Sequence, residues 1–259
     1  MTITTPAATT AHAASATTDP MRNHARAAGI FYLLTFVSSI PALILIGPVL
    51  HNPDYVTSGG QDTRVLWGCL LDAVNALTAV GSAVALYPVV KRQNRSMALG
   101  FVTSRLLEAA VVMIGVVSLL AVVTLRQDFA GSTGGDAASL TVTANALVDL
   151  RNWTFLLGPG LMPAFNAILL GTLLYRSRLV PRIIPTVGLI GAPLLLTAML
   201  ATFFGAIDQV SSVAGILTLP VAAWEFSVGL WMTFKGFTPS PVLPTIDPAD
   251  TKAVAHPAV

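Results

Sequence analysis

The chain has 259 residues, of which 54% are hydrophobic and only 10% are Asp, Glu, Lys or Arg, and its mean hydropathy is +0.75. A water-soluble domain carries about a quarter charged residues, so lipid must be the solvent for most of this chain. The net charge of +2 sits in short basic clusters rather than on one face, which excludes nucleic acid as a partner. A single cysteine and four histidines outside the apolar runs exclude a disulfide, a haem pair and an H-E-x-x-H helix, so neither a metal nor a cofactor is expected.

Residues 1–21 open with Ala, Thr, Ser and Pro and almost no large apolar side chain, a composition expected to stay disordered. Six apolar runs follow: Ala27 to Leu50, Val65 to Pro88, Met97 to Leu125, Trp153 to Tyr175, Ile183 to Ile207, and Val213 to Phe234. Each reaches the roughly 20 residues that a helix needs to cross a hydrocarbon core, and lipid leaves the backbone no partner but itself. The expected fold is therefore all-α, a six-span transmembrane bundle over residues 22–237. Pro41, Pro48, Pro159, Pro163, Pro193 and Pro220 fall inside the runs. The triplet Gly158, Pro159, Gly160 is the strongest candidate for a bent or unwound hinge.

Nine basic residues (Arg22, Arg26, Lys91, Arg92, Arg95, Arg176, Arg178, Arg182 and Lys235) lie near the span ends on one side, against Arg64, Arg126 and Arg151 on the other. The positive-inside rule then places both termini in the cytoplasm and the chain in the cell membrane. The loop from Arg126 to Asn152 turns weakly amphipathic from Ala137 to Leu150 and reads as an interfacial helix leading into span four. Residues 238–259 are rich in proline and read as a second disordered tail.

Ionisable groups inside a span cost about 2.5–3.5 kcal/mol each on insertion scales and persist only with partners, water or a function. Asp72, Arg105, Glu108 and Glu225 qualify, and Asn75 and Asn166 add amides. Counting from the span ends puts all six within a band roughly 10 Å thick around the midplane, so they are expected to form one polar cluster. Two roles stay open. Arg105 bridges carboxylates and ties the helices together, or, because one arginine faces three carboxylates, an acid is protonated or holds a cation and the cluster couples transport. Two halves of three spans would be inverted in the membrane, with Glu108 and Glu225 each about midway along the third span of their half, and inverted repeats mark many transporters. Asp149, Arg151 and Asn152 form a candidate site at the outer mouth of span four, read either as a cap and interfacial anchor or as the entry to the Gly158–Gly160 bend.

Four stretches carry a resemblance: Ala25 to Phe36, Arg105-Leu-Leu-Glu108, Arg151-Asn-Trp-Thr-Phe-Leu-Leu-Gly-Pro-Gly160, and Leu174-Tyr-Arg-Ser-Arg-Leu-Val-Pro-Arg182. In their order the chain resembles the bacterial domain of unknown function 4386 family. The resemblance implies the six-span fold and a plasma-membrane location, and brings no activity or catalytic residue. The sequence-based expectation is a non-enzymatic membrane protein. A proton- or cation-coupled transporter is the alternative, and an intramembrane enzyme acting on lipid comes third, for want of a nucleophile–base pair. Membrane lipids are the expected partners, with self-association through small-residue faces left open.

Overall fold

The computed structural model describes residues 20–58, 60–129 and 135–240, all helices and connecting turns. The elements are α1 (Pro20–His51), α2 (Asp62–Val90), α3 (Arg95–Asp128), α4 (Gly135–Phe155), a π-helical turn (Leu156–Gly160), α5 (Met162–Ser177), α6 (Ile183–Phe203) and α7 (Ser212–Phe234). Six segments are long and apolar enough to span a membrane, with α4, the π turn and α5 counting as one of 42 residues. The spans close a ring in chain order: α1 packs on α2, α2 on α3, α3 on α4 and α5, α5 on α6, α6 on α7, and α7 back on α1. We call the end bearing Pro20, the 91–94 turn, the 178–182 turn and Ser240 the terminal face, and the opposite end the distal face.

Short side chains set how closely the helices approach. A Cβ added to Gly29 of α1 would lie 2.5 Å from the backbone nitrogen of Thr233 in α7, and one added to Gly188 of α6 would lie 2.5 Å from the Trp224 ring. Helix packing without a hydrophobic driving force relies on this kind of contact. Prolines do not break the helices. Pro48 leaves the Ile44 carbonyl without its i+4 donor, and Arg64 Nη2 donates to that oxygen at 3.0 Å. Asn94 and Ser211 cap α3 and α7 by accepting from the Met97 and Ala214 amides.

Three expectations change. The stretch from Ala137 to Leu150 is not a separate interfacial helix: it belongs to α4 and runs antiparallel to α3. Leu140, Ala144, Leu147 and Val148 recur at helical spacing and pack in one core with Leu119, Val122 and Val123, so bundle contacts rather than headgroups cover the apolar stripe. Pro20 and Met21, expected in the N-terminal tail, already belong to α1; residues 1–19 lie outside the described ones. Of the expected C-terminal tail, Thr238 donates its amide to the Leu179 carbonyl at 2.8 Å, and Ser240 Oγ donates to that of Ser177. Residues 238–240 therefore dock on the 178–182 turn, and the rest of that tail lies outside the described residues.

Because backbone atoms rather than a movable side-chain tip would meet a new methyl group at the α1–α7 seam, Gly29→Ala should cost about 1–3 kcal/mol. Thermal unfolding in detergent reads this as a lower Tm, and an unchanged Tm would show that the seam is looser than described.

Candidate functional site

Two arginines are buried between the helices, and their surroundings differ. Arg105 of α3 is 2% exposed. Its Nη1 donates to Glu108 Oε2 at 3.2 Å, one turn along the same helix, and its Nη2 donates to Glu225 Oε1 of α7 at 2.6 Å. Asn166 Nδ2 of α5 donates to Glu108 Oε2 at 2.7 Å. The guanidinium lies over the Tyr32 ring of α1, 4.8 Å from its centroid, a cation–π contact that strengthens away from water. One guanidinium thus links α1, α3 and α7, and Asn166 brings in α5 through Glu108. Arg105 Nε and Asn166 Oδ1 are buried with no hydrogen-bond partner among the described residues.

Arg151 of α4 is 6% exposed. It faces Asp72 of α2 with Nη2 3.9 Å from Oδ2, beyond hydrogen-bond length, and its guanidinium stacks on Phe155 at 4.4 Å. Both charged groups line a cavity of about 200 Å³ with Ser39, Asn75, Gly115, Thr154 and Pro159. Ile40 and Leu43 of α1, each about half exposed, also line it. Among the described residues, the side chains of Ser39, Asp72, Asn75 and Arg151 make no hydrogen bond within the protein.

The single cluster expected from the sequence is therefore two. Arg105, Glu108, Asn166 and Glu225 come together, whereas Asp72 and Asn75 belong with Arg151. The cause is register. On the distal face Arg126 of α3 pairs with Asp62 of α2. From that fixed point the antiparallel helices bring Asp72 opposite about residue 116 of α3, roughly 12 Å along the axis from Glu108 at ~1.5 Å per residue. Counting from the ends of apolar runs missed this because α3 continues to Asp128, beyond its apolar run.

The expected outer-mouth trio also divides. Asp149 is exposed and Asn152 half-buried, while Arg151 turns inward. At Gly158, Pro159 and Gly160 the chain is wound as a π turn rather than unwound. A Cβ on Gly158 would come within 3.0 Å of Val111, and one on Gly160 within 2.7 Å of Met199 Sδ, so these glycines admit neighbouring helices. Pro159 forms part of the cavity wall.

Sequence reading passed over Tyr32, Ser39 and Thr154. Tyr32 gave no clear signal, because it lies only a few residues past Ala27, where the first apolar run begins, a depth that an interfacial tyrosine also occupies. On the distal rim, Tyr55 donates to Asp62 Oδ1 at 2.7 Å, and burial, with that carboxylate beside it, pushes the Tyr55 hydroxyl well up. Among the described residues no group of three or more His, Cys, Asp or Glu is placed to hold a metal ion.

A ring of six apolar helices with ion pairs sealed between them defines a polytopic α-helical membrane protein. Within that class the family described as Domain of unknown function (DUF4386) matches residues 27–236, and the chain belongs to it, as the four sequence stretches implied. No curated protein and no solved structure matches.

Removing the guanidinium from the first site would leave two carboxylates unpaired in a dry environment. Arg105→Met should therefore destabilise the protein by about 3–5 kcal/mol, the usual cost of stranding a buried charge. Chemical unfolding of the purified protein measures this, and a loss below about 1 kcal/mol, the scale of a surface pair, would remove the network from its central place.

Proposed function

We propose that the protein is a non-enzymatic, membrane-embedded binding protein that takes up a small polar molecule from its distal side. The observation that carries this reading is the contrast between the two arginines. Arg105 spends donors from both terminal nitrogens on Glu108 and Glu225 and serves as a joint. Arg151 and Asp72 face a cavity with their hydrogen-bonding capacity unspent, supported by Asn75 and Ser39. A charge inside a membrane needs partners, and a ligand or water in the cavity supplies them. A catalytic reading finds less support: Ser39 is a hydroxyl in the cavity lining, but no histidine lines the cavity to activate it.

The distal side is the cell exterior in this proposal. Arg64 bonds the Ile44 carbonyl and Arg126 pairs with Asp62, while Arg151 is buried against the cavity, so each distal arginine is engaged within the bundle. The nine basic residues of the terminal face make no ion pair among the described residues. That asymmetry favours termini on the cytoplasmic side of the cell membrane.

The single cysteine makes a direct test possible. In a Cys69→Ala background, Asn75→Cys should react with a membrane-impermeant maleimide added outside intact cells. Reaction only after permeabilisation would invert the topology, and no reaction under either condition would mean a sealed cavity and end the binding reading.

A second reading, proton- or cation-coupled transport, has its own observation. One guanidinium faces two carboxylates at the first site, and Asn166 Oδ1 adds an unspent acceptor. If the site is purely a joint, Glu108→Gln and Glu225→Gln should both melt below wild type. A variant melting above wild type would show an acid kept at a cost in stability and give the coupled reading precedence.

A further inference from the structure

We infer that the cavity between α1, α2, α3 and α4 is a site for a compact zwitterion, with a primary ammonium held by Asp72 and a carboxylate or phosphate held by Arg151. This rests on the binding reading above and specifies its ligand class.

The site carries one negative and one positive group side by side, 3.9 Å apart, on different helices. A cation alone would satisfy Asp72 while opposing Arg151, and an anion alone would do the reverse. In an α-amino acid the ammonium nitrogen and the carboxylate carbon are two bonds apart, roughly 2.5 Å. That spacing sets the ligand's two charges against the protein's two in an alternating square in which every neighbour is of opposite sign. The guanidinium lies over the Phe155 ring, 4.4 Å from its centroid, and a guanidinium offers a planar fork of N–H donors to an oxyanion. Asn75 and Ser39 supply neutral donors and acceptors for the remaining hydrogen bonds, and Val112, Phe155 and Pro159 form apolar wall.

Size narrows the class. A cavity of about 200 Å³ corresponds to on the order of six or seven waters at their liquid volume of ~30 Å³. That matches a small amino acid or an aminoethyl phosphate, and excludes a whole lipid. Ile40 and Leu43, 57% and 47% exposed, give the same pocket a side facing the acyl chains. The shared chemistry is an ammonium with an adjacent oxyacid, either as a free solute or as the headgroup of an aminophospholipid.

The experiment is a thermal-shift panel on the purified full-length protein. The probes are alanine, alanine methyl ester, lactate and phosphoethanolamine, followed by nanodiscs of phosphatidylethanolamine or phosphatidylglycerol. A ligand that binds only the folded state raises Tm as its concentration passes Kd. Alanine or phosphoethanolamine should raise Tm, and the ester and lactate, each with a single charge, should not. Asp72→Asn and Arg151→Gln should each weaken binding on the order of 10- to 100-fold, the loss of one charge-assisted hydrogen bond. The double variant Asp72→Asn/Arg151→Gln strands no charge, so it should fold and show no shift. A shift with alanine alone identifies a free solute. A shift with phosphoethanolamine, together with a higher Tm in phosphatidylethanolamine nanodiscs, identifies a headgroup. An equal shift with the ester or lactate, or no shift with any probe, overturns the zwitterion while maleimide labelling of Asn75→Cys still upholds a binding cavity. Failure of that labelling is what overturns the binding reading itself.

Discussion

A hydrocarbon solvent offers no hydrogen bonds, and that one condition organises this protein from backbone to site. It makes every span a helix, and it makes each buried charge answerable for its partners. Arg105 answers with Glu108, Glu225 and the face of Tyr32, gathering three helices around one side chain, and Asn166 brings in a fourth through Glu108. Arg151 reaches Asp72 at 3.9 Å and otherwise faces a cavity. Two chemically identical residues thus take different roles because one sits where helices converge and the other where they leave room.

The room itself is a matter of length and register. α3 has 34 residues and α2 has 29, whereas α6 has 21 and α7 has 23. The apolar core is correspondingly divided. One cluster joins side chains from α1, α2, α3, α5, α6 and α7, while a smaller one lies toward the distal face with side chains from α1 to α4 and the 52–61 turn. The Asp72–Arg151 cavity lies among those first four helices, beside the π turn that connects α4 to α5. A π turn places one more residue in a turn than an α-helix does, and such turns are frequent at functional sites. Here it sets Pro159 into the cavity wall.

The helices were legible because their signal is a sum over twenty or more residues, which no single side chain can spoil. Intramembrane charges were legible for the opposite reason: each is an isolated exception. What the sequence could not disclose was which charges meet. Asp72 and Glu108 both lie well inside their apolar runs, and the Arg126–Asp62 pairing at the distal rim, outside those runs, marks the register of α2 against α3 that separates them. Arg151 looked like a span-end anchor because the apolar run begins at Trp153. The helix in fact starts at Gly135, and its first half finds apolar cover on α3 through Leu140, Ala144 and Leu147. Hydropathy averages hide such a segment, since half of its surface is polar.

The spacing of Arg105 and Glu108 bears on how the chain is made as well as on how it stands. Glu225 belongs to the last span, so α3 is synthesised well before that partner exists. Three residues apart on one helix, Arg105 and Glu108 face each other from the moment that helix forms, and the guanidinium enters the bilayer with its own counter-ion. Asn166 reaches Glu108 when the α4–α5 span is in place, and Glu225 completes the set only with α7. The final helix therefore arrives where Arg105 and Glu108 already face each other, and its one carboxylate closes the ring 120 residues after the arginine was made.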